Sequence, residues 1–106
     1  MNPNVWRSDS RPFVYGHRGA PERRHENTIE GFTVAKGLGV DGVELDARRT
    51  ADGRIAVHHD AHLDDGRVLC DVAEADLPGC VPGLAAALDA CRGIIVNIEI
   101  KNSPLD

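Results

Sequence analysis

Only Thr50-Ala51-Asp52-Gly53 and its flanks separate two strand-like runs, Gly42 to Arg48 and Arg54 to His58. A parallel crossover needs about a dozen residues, so this connection is too short for one. Asp-Gly between two strands is instead a hairpin signal. With Asp52 and Gly53 as the two turn residues, Ala51 faces Arg54 and Asp46 faces His59. Directly opposed residues share a sheet face, with Cβ atoms about 5 Å apart. The first run alternates strictly: Val43 and Leu45 point one way, Glu44, Asp46 and Arg48 the other. The hairpin therefore gathers Glu44, Asp46 and His59 into one patch. The arrangement depends on register, because a slip of one residue would turn His59 to the other face.

The flanking segments read as α/β. Pro12 to Gly16 is a short β-prone run that ends at His17-Arg18-Gly19-Ala20. Asn27 to Leu38 predicts a helix, with Asn27 or Thr28 as its cap and Glu30 in a capping-box position after Asn27. Its apolar face would be Ile29, Phe32, Ala35 and Leu38, and Gly37 and Gly39 supply the stop. Residues 60–80 are acidic and turn-rich and predict no regular element. Pro82 to Cys91 predicts a short helix carrying Leu84 and Leu88, and Ile94 to Ile100 a strand. On that strand Ile98 and Ile100 share one face, while Asn97, Glu99 and Lys101 share the other. Strand–helix–strand followed by helix–strand is an α/β pattern. Residues 1–11 read as a loose leader, and 12–106 as the domain.

Composition narrows the function. The chain has 106 residues, enough for one domain with a modest core. Twelve basic against seventeen acidic residues give a net charge of -5, which argues against a nucleic-acid surface. It leaves room for an anionic substrate, because a bound cation inverts the local field. Cys70, Cys80 and Cys91 are odd in number and loosely spaced, so they read as thiols rather than a disulfide framework or zinc site. A Cys70–Cys80 bridge is the alternative in an oxidising compartment. No apolar run is long enough for a membrane span, and the polar start lacks a signal-peptide core, which points to the cytoplasm.

Glu44, Asp46 and Glu99 offer an oxygen-rich site suited to a hard cation such as Mg²⁺ or Ca²⁺. His17 and His59, each at the end of a strand, suit general acid and base work near neutral pH. Arg18 and Lys101 suit phosphate oxygens. Cation, acid, base and phosphate-binding charges together are what cleavage of a phosphate ester requires.

At this point the sequence resembles the glycerophosphodiester phosphodiesterases. The matching pieces are His17-Arg18-Gly19-Ala20, Glu26-Asn27-Thr28, Val43-Glu44-Leu45-Asp46, Thr50-Ala51-Asp52-Gly53, His59-Asp60 and Ile98-Glu99-Ile100-Lys101. No single piece is specific; six in the family's order are. The resemblance implies a TIM (β/α)8 barrel with its site at the C-terminal ends of the strands. It implies hydrolysis of a small-molecule glycerophosphodiester to an alcohol and glycerol 3-phosphate. It also implies His17 and His59 as the acid/base pair, Glu44, Asp46 and Glu99 as ligands of a divalent cation, and Arg18 and Lys101 as phosphate contacts. Such a barrel takes about 250 residues, so this chain is expected to be the N-terminal portion of one, truncated. The short segment between His59 and Pro82 leaves the alcohol unassigned.

Two other readings compete. A half-barrel would bind metal and phosphate without turnover and would self-associate through its open edges. A barrel phosphodiesterase acting on lipid head groups is the other, but no membrane-binding element supports it. His58 reads as structural, on the strand face opposite His59, and His25 and His62 read as surface residues. Glu26 and Asn27 have no settled role, and Asp60 either orients His59 or caps the next turn.

Overall fold

The computed structural model describes residues 26–101, and residues 15–17 as backbone. Its elements are β1 (Tyr15–His17), α1 (Ile29–Gly37), β2 (Gly42–Arg49), β3 (Ile55–Val57), α2 (Leu84–Ala90) and β4 (Ile95–Ile100). The α/β expectation holds. β2 is the centre of one mixed sheet. β4 runs parallel to it, pairing Gly42 through Ala47 with Ile95 through Ile100. β1 is parallel and pairs His17 with Glu44, while β3 is antiparallel and pairs Ala47 with Val57. With β4 along one edge of β2, β1 and β3 take successive stretches of the other.

Burial on both sides explains why β2 is nearly continuous in buried residues. Val43 and Leu45 enter a core with Phe32, Ala35, Val57, Ala87 and Cys91, beneath the two helices. Ala56 instead joins a second small core with Leu63, Leu69 and Val72. That second core is built by the segment for which no element was expected. There His62 bridges Val68, and short 3-10 turns cover Leu69–Asp71 and Glu74–Asp76.

Three sequence expectations are corrected. The cap of α1 is Thr28, one of the two expected, and its hydroxyl accepts from Gly31 N at 3.0 Å; the expected capping box of Asn27 and Glu30 does not form, because the residue three after the actual cap is Gly31. Phe32 and Ala35 are buried as expected, but the two ends of that face, Ile29 in the first turn and Leu38 past the last one, are exposed. In α2 it is Ala87 and Cys91 that are buried, and Leu88 is exposed. Ala87 and Cys91, four residues apart, share the face turned to the core, and Leu88 falls beside that face.

The third correction is the hairpin register. Thr50, not Ala51, faces Arg54: Thr50 N donates to Arg54 O at 2.9 Å, and Arg54 N donates to Thr50 Oγ1 at 3.0 Å. Gly53 N donates back to Thr50 O, and Gly53 has φ +77°. This is a three-residue loop closed by a left-handed residue, for which glycine has no steric penalty. Asp46 therefore faces His58, whose N donates to Asp46 O at 3.0 Å. The strand ends there, and His59 lies beyond the ladder.

Candidate active site

The carboxylates stand on two adjacent strands. Register pairs Asp46 with Glu99 and Glu44 with Asn97, and alternation puts Glu44 on the same face as Asp46. One oxygen from each of Glu44, Asp46 and Glu99 lies within 4.8 Å of the others. Asp46 is fully buried, Glu44 half-buried and Glu99 exposed. An all-oxygen set graded from buried to open fits a hard divalent cation, which keeps part of its water shell. Like charges this close also need a positive partner.

Lys101 supplies part of it. Its Nζ donates to Glu99 Oε1 at 3.0 Å and lies 4.0 Å from Asp46 Oδ1. The Lys101 hydrogen bond and charge hold the Glu99 carboxyl below its ordinary value.

Two contacts place His59. Its Nδ1 lies 2.6 Å from Asp60 Oδ1, so a proton on Nδ1 is donated there and Nε2 is left for exchange. The buried guanidinium of Arg48 donates from Nε and Nη2 to the His59 carbonyl. Alternation along β2 places Arg48 on the polar face, and no local sequence pattern signals its contact with the His59 carbonyl. A cleft of about 400 Å³ opens beside His59, with Glu26, Asn27, His58, Asp60 and Cys80 in its walls.

Asn27 is the other residue whose place the sequence did not settle. It is buried, has φ +54°, and turns its side chain to β2. Nδ2 donates to Asp46 Oδ2 at 2.9 Å, and Asp46 N donates to Asn27 Oδ1 at 3.4 Å.

His17 is placed by backbone alone, at the register position beside Glu44. Arg18 and His25 lie outside the described residues. His62 is exposed, as expected of a surface residue, and Cys70, Cys80 and Cys91 are all free thiols. Among the described residues no helix is long and apolar enough to cross a membrane.

Fold and site together define an α/β protein with a candidate cation site on the polar face of its central parallel strands. Residues 17–105 match the glycerophosphoryl diester phosphodiesterase family, and the chain belongs to that family. A probable glycerophosphodiester phosphodiesterase 1 of Mycobacterium tuberculosis is 47% identical over 53 residues, 50% of this chain and 19% of that protein. An uncharacterised Bacillus subtilis protein, YqiK, is 45% identical over 85% of this chain and 45% of its own length. The crystal structure of a Thermotoga maritima glycerophosphodiester phosphodiesterase superposes with a TM-score of 0.83 at 33% identity, covering 89% of this chain and 46% of that one. An Oleispira antarctica phosphodiesterase in complex with the product sn-glycerol-3-phosphate gives 0.81 at 25% identity, covering 85% and 44%. The chain thus spans less than half the length of these relatives.

Proposed function

We propose that this chain carries the catalytic residues of a glycerophosphodiester phosphodiesterase, hydrolysing glycerophosphodiesters to an alcohol and sn-glycerol 3-phosphate. The observation that supports it is the convergence of Glu44, Asp46 and Glu99 on one face, with Lys101 beside them. In this reading β1, β2 and β4 are the first parallel strands of a (β/α)8 barrel, and the site lies at their C-terminal ends.

Glu44, Asp46 and Glu99 would hold a divalent cation, Mg²⁺ or Ca²⁺, which when bound supplies positive charge against the phosphate oxygens. Lys101, and Arg18, would bind the same phosphate group and fix its orientation. His17 and His59 would form the acid/base pair. One takes the proton of a neighbouring glycerol hydroxyl as its oxygen attacks phosphorus. The other gives a proton to the departing alcohol oxygen as the P–O bond breaks. The cyclic phosphate so formed is opened by water, with the two histidines exchanging roles.

The test is release of sn-glycerol 3-phosphate from glycerophosphocholine, with Mg²⁺ or Ca²⁺ and with chelator. Chelator-sensitive turnover that Glu44→Ala abolishes is the expected result. Full activity of Glu44→Ala would overturn the metal assignment. A second reading, a cation- and phosphate-binding half-barrel without turnover, draws on the chain's 46% coverage of its Thermotoga relative. It predicts cation binding with no phosphate-ester cleavage in the same assay.

A further inference from the structure

Asn27 lies 19 residues before Asp46 in sequence, in the turn that leads into α1, and it is 3% exposed. We infer that Asn27 is a positioning residue for Asp46, setting the affinity of the carboxylate cluster for its cation. This rests on the cation reading of Glu44, Asp46 and Glu99 above.

The geometry argues for it on three counts. The amide engages Asp46 twice, giving a hydrogen bond to Oδ2 and taking one from the backbone N. A side chain held at its carboxylate and beside its own backbone has little freedom left to turn. The pairing also fixes the amide's orientation, because a flipped amide would set oxygen against oxygen at the carboxylate. Asparagine, finally, meets two demands at once. It tolerates φ +54° far better than most residues, and it carries one donor and one acceptor on a short stem. Aspartate would share the backbone tolerance but put a second negative charge where the donor is needed. Glutamine would supply the amide one methylene too far out.

Partners that orient a ligating carboxylate typically change metal affinity 10- to 100-fold when lost. Loss of the amide should therefore weaken the cation site even though Asn27 itself supplies no ligand atom.

Asn27→Gly isolates the effect, since glycine adopts positive φ without penalty and removes only the amide. Binding of Ca²⁺ and Mn²⁺ to the 106-residue chain would be measured by calorimetry, with no substrate present. The expected result is affinity weakened about 10- to 100-fold in Asn27→Gly, with Glu44→Gln as the reference for loss of a ligand. A wild-type chain that binds while Asn27→Gly binds equally well overturns the inference and leaves the cation reading standing. A wild-type chain that binds neither ion overturns both. A second measurement needs no variant: the Asn27 side-chain amide resonances of the wild-type protein should shift during Ca²⁺ titration, saturating with the calorimetric affinity. Resonances that stay fixed while Ca²⁺ binds would also overturn it.

Discussion

The guanidinium of Arg48 and the carbonyl of His59 are joined by two hydrogen bonds, 3.0 Å from Nε and 2.7 Å from Nη2. Arg48 shares the β2 face of Glu44 and Asp46, and it is 4% exposed. The last ladder bond of the hairpin is His58 N to Asp46 O, so sheet geometry ends one residue before His59. Arg48 takes over there. A charged side chain on the central strand reaches past the end of β3 and holds the histidine's main chain.

Removing that grip should free His59 more than it disturbs the sheet. Arg48→Met keeps much of the buried volume but strips the His59 carbonyl of both donors, a loss of about 1–3 kcal/mol. Arg48→Lys keeps the charge without the planar fork, and an intermediate loss is expected. Chemical denaturation checks the stability. Imidazole resonances check the position: His59 should shift in both variants, while exposed His62 should not. Unchanged His59 resonances in Arg48→Met would remove Arg48 from the account.

Legibility from the sequence follows the range of the forces involved. The faces of β2 and β4 were readable because alternation every second residue is local, and both Asp46 and Glu99 sit inside unbroken alternating runs. The hairpin was readable as a hairpin but one residue out of register. The Thr50 hydroxyl, bonded to Arg54 N, converts an apparent two-residue turn into a three-residue one. On α2 the spacing of Leu84 and Leu88 marks an apolar stripe, but the buried one runs through Ala87 and Cys91, four residues apart, and Leu88 falls beside it. Asn27 looked like a helix cap because asparagine caps helices well. Its actual partner is Asp46, and no local pattern carries a contact across 19 residues.

The core under the helices supports a plain stability prediction. Phe32 is fully buried and packs with Val43, Leu45 and Val57, so it joins α1 to the sheet. Phe32→Ala should cost about 3–5 kcal/mol, from lost burial and the cavity left behind. Small domains have total stabilities of roughly 5–15 kcal/mol, so the variant should be largely unfolded or melt far below the wild type. Thermal unfolding followed by circular dichroism measures this. A Tm within a few degrees of wild type would show that α1 contributes little to the fold.

The outer strand carries a different risk. Ile100 is 70% exposed and Ile98 37% exposed on the same face of β4, and among the described residues that strand pairs only with β2. An apolar face beside an open strand edge is a site for self-association. The 106-residue chain should therefore elute above its monomer mass at rising concentration, and Ile100→Lys should return it toward monomer. Light scattering during size-exclusion chromatography distinguishes the two. Monomeric wild-type protein at every concentration would count against this edge as a contact.

Asp52 should make the hairpin acid-sensitive. Its carboxylate accepts from the Thr50 hydroxyl and, at 3.1 Å, from Glu74 N, so it links the β2–β3 loop to the 3-10 turn at Glu74–Asp76. The Thr50 hydrogen bond, then the Glu74 backbone N–H, lower its pKa below the ordinary carboxylate value, with the Arg54 charge a smaller aid. A carboxyl whose pKa is lower folded than unfolded stabilises the fold when ionised. That contribution is fully present above the ordinary value and is lost as pH falls through the depressed one. Asp52→Asn should therefore melt below the wild type at pH 7, and the gap between them should close as the pH drops below 4. The Tm of both proteins across pH 2–7 measures it. A gap that stays constant over that range would mean that the charge on Asp52 contributes nothing, and that any loss in the variant comes from hydrogen-bond geometry alone.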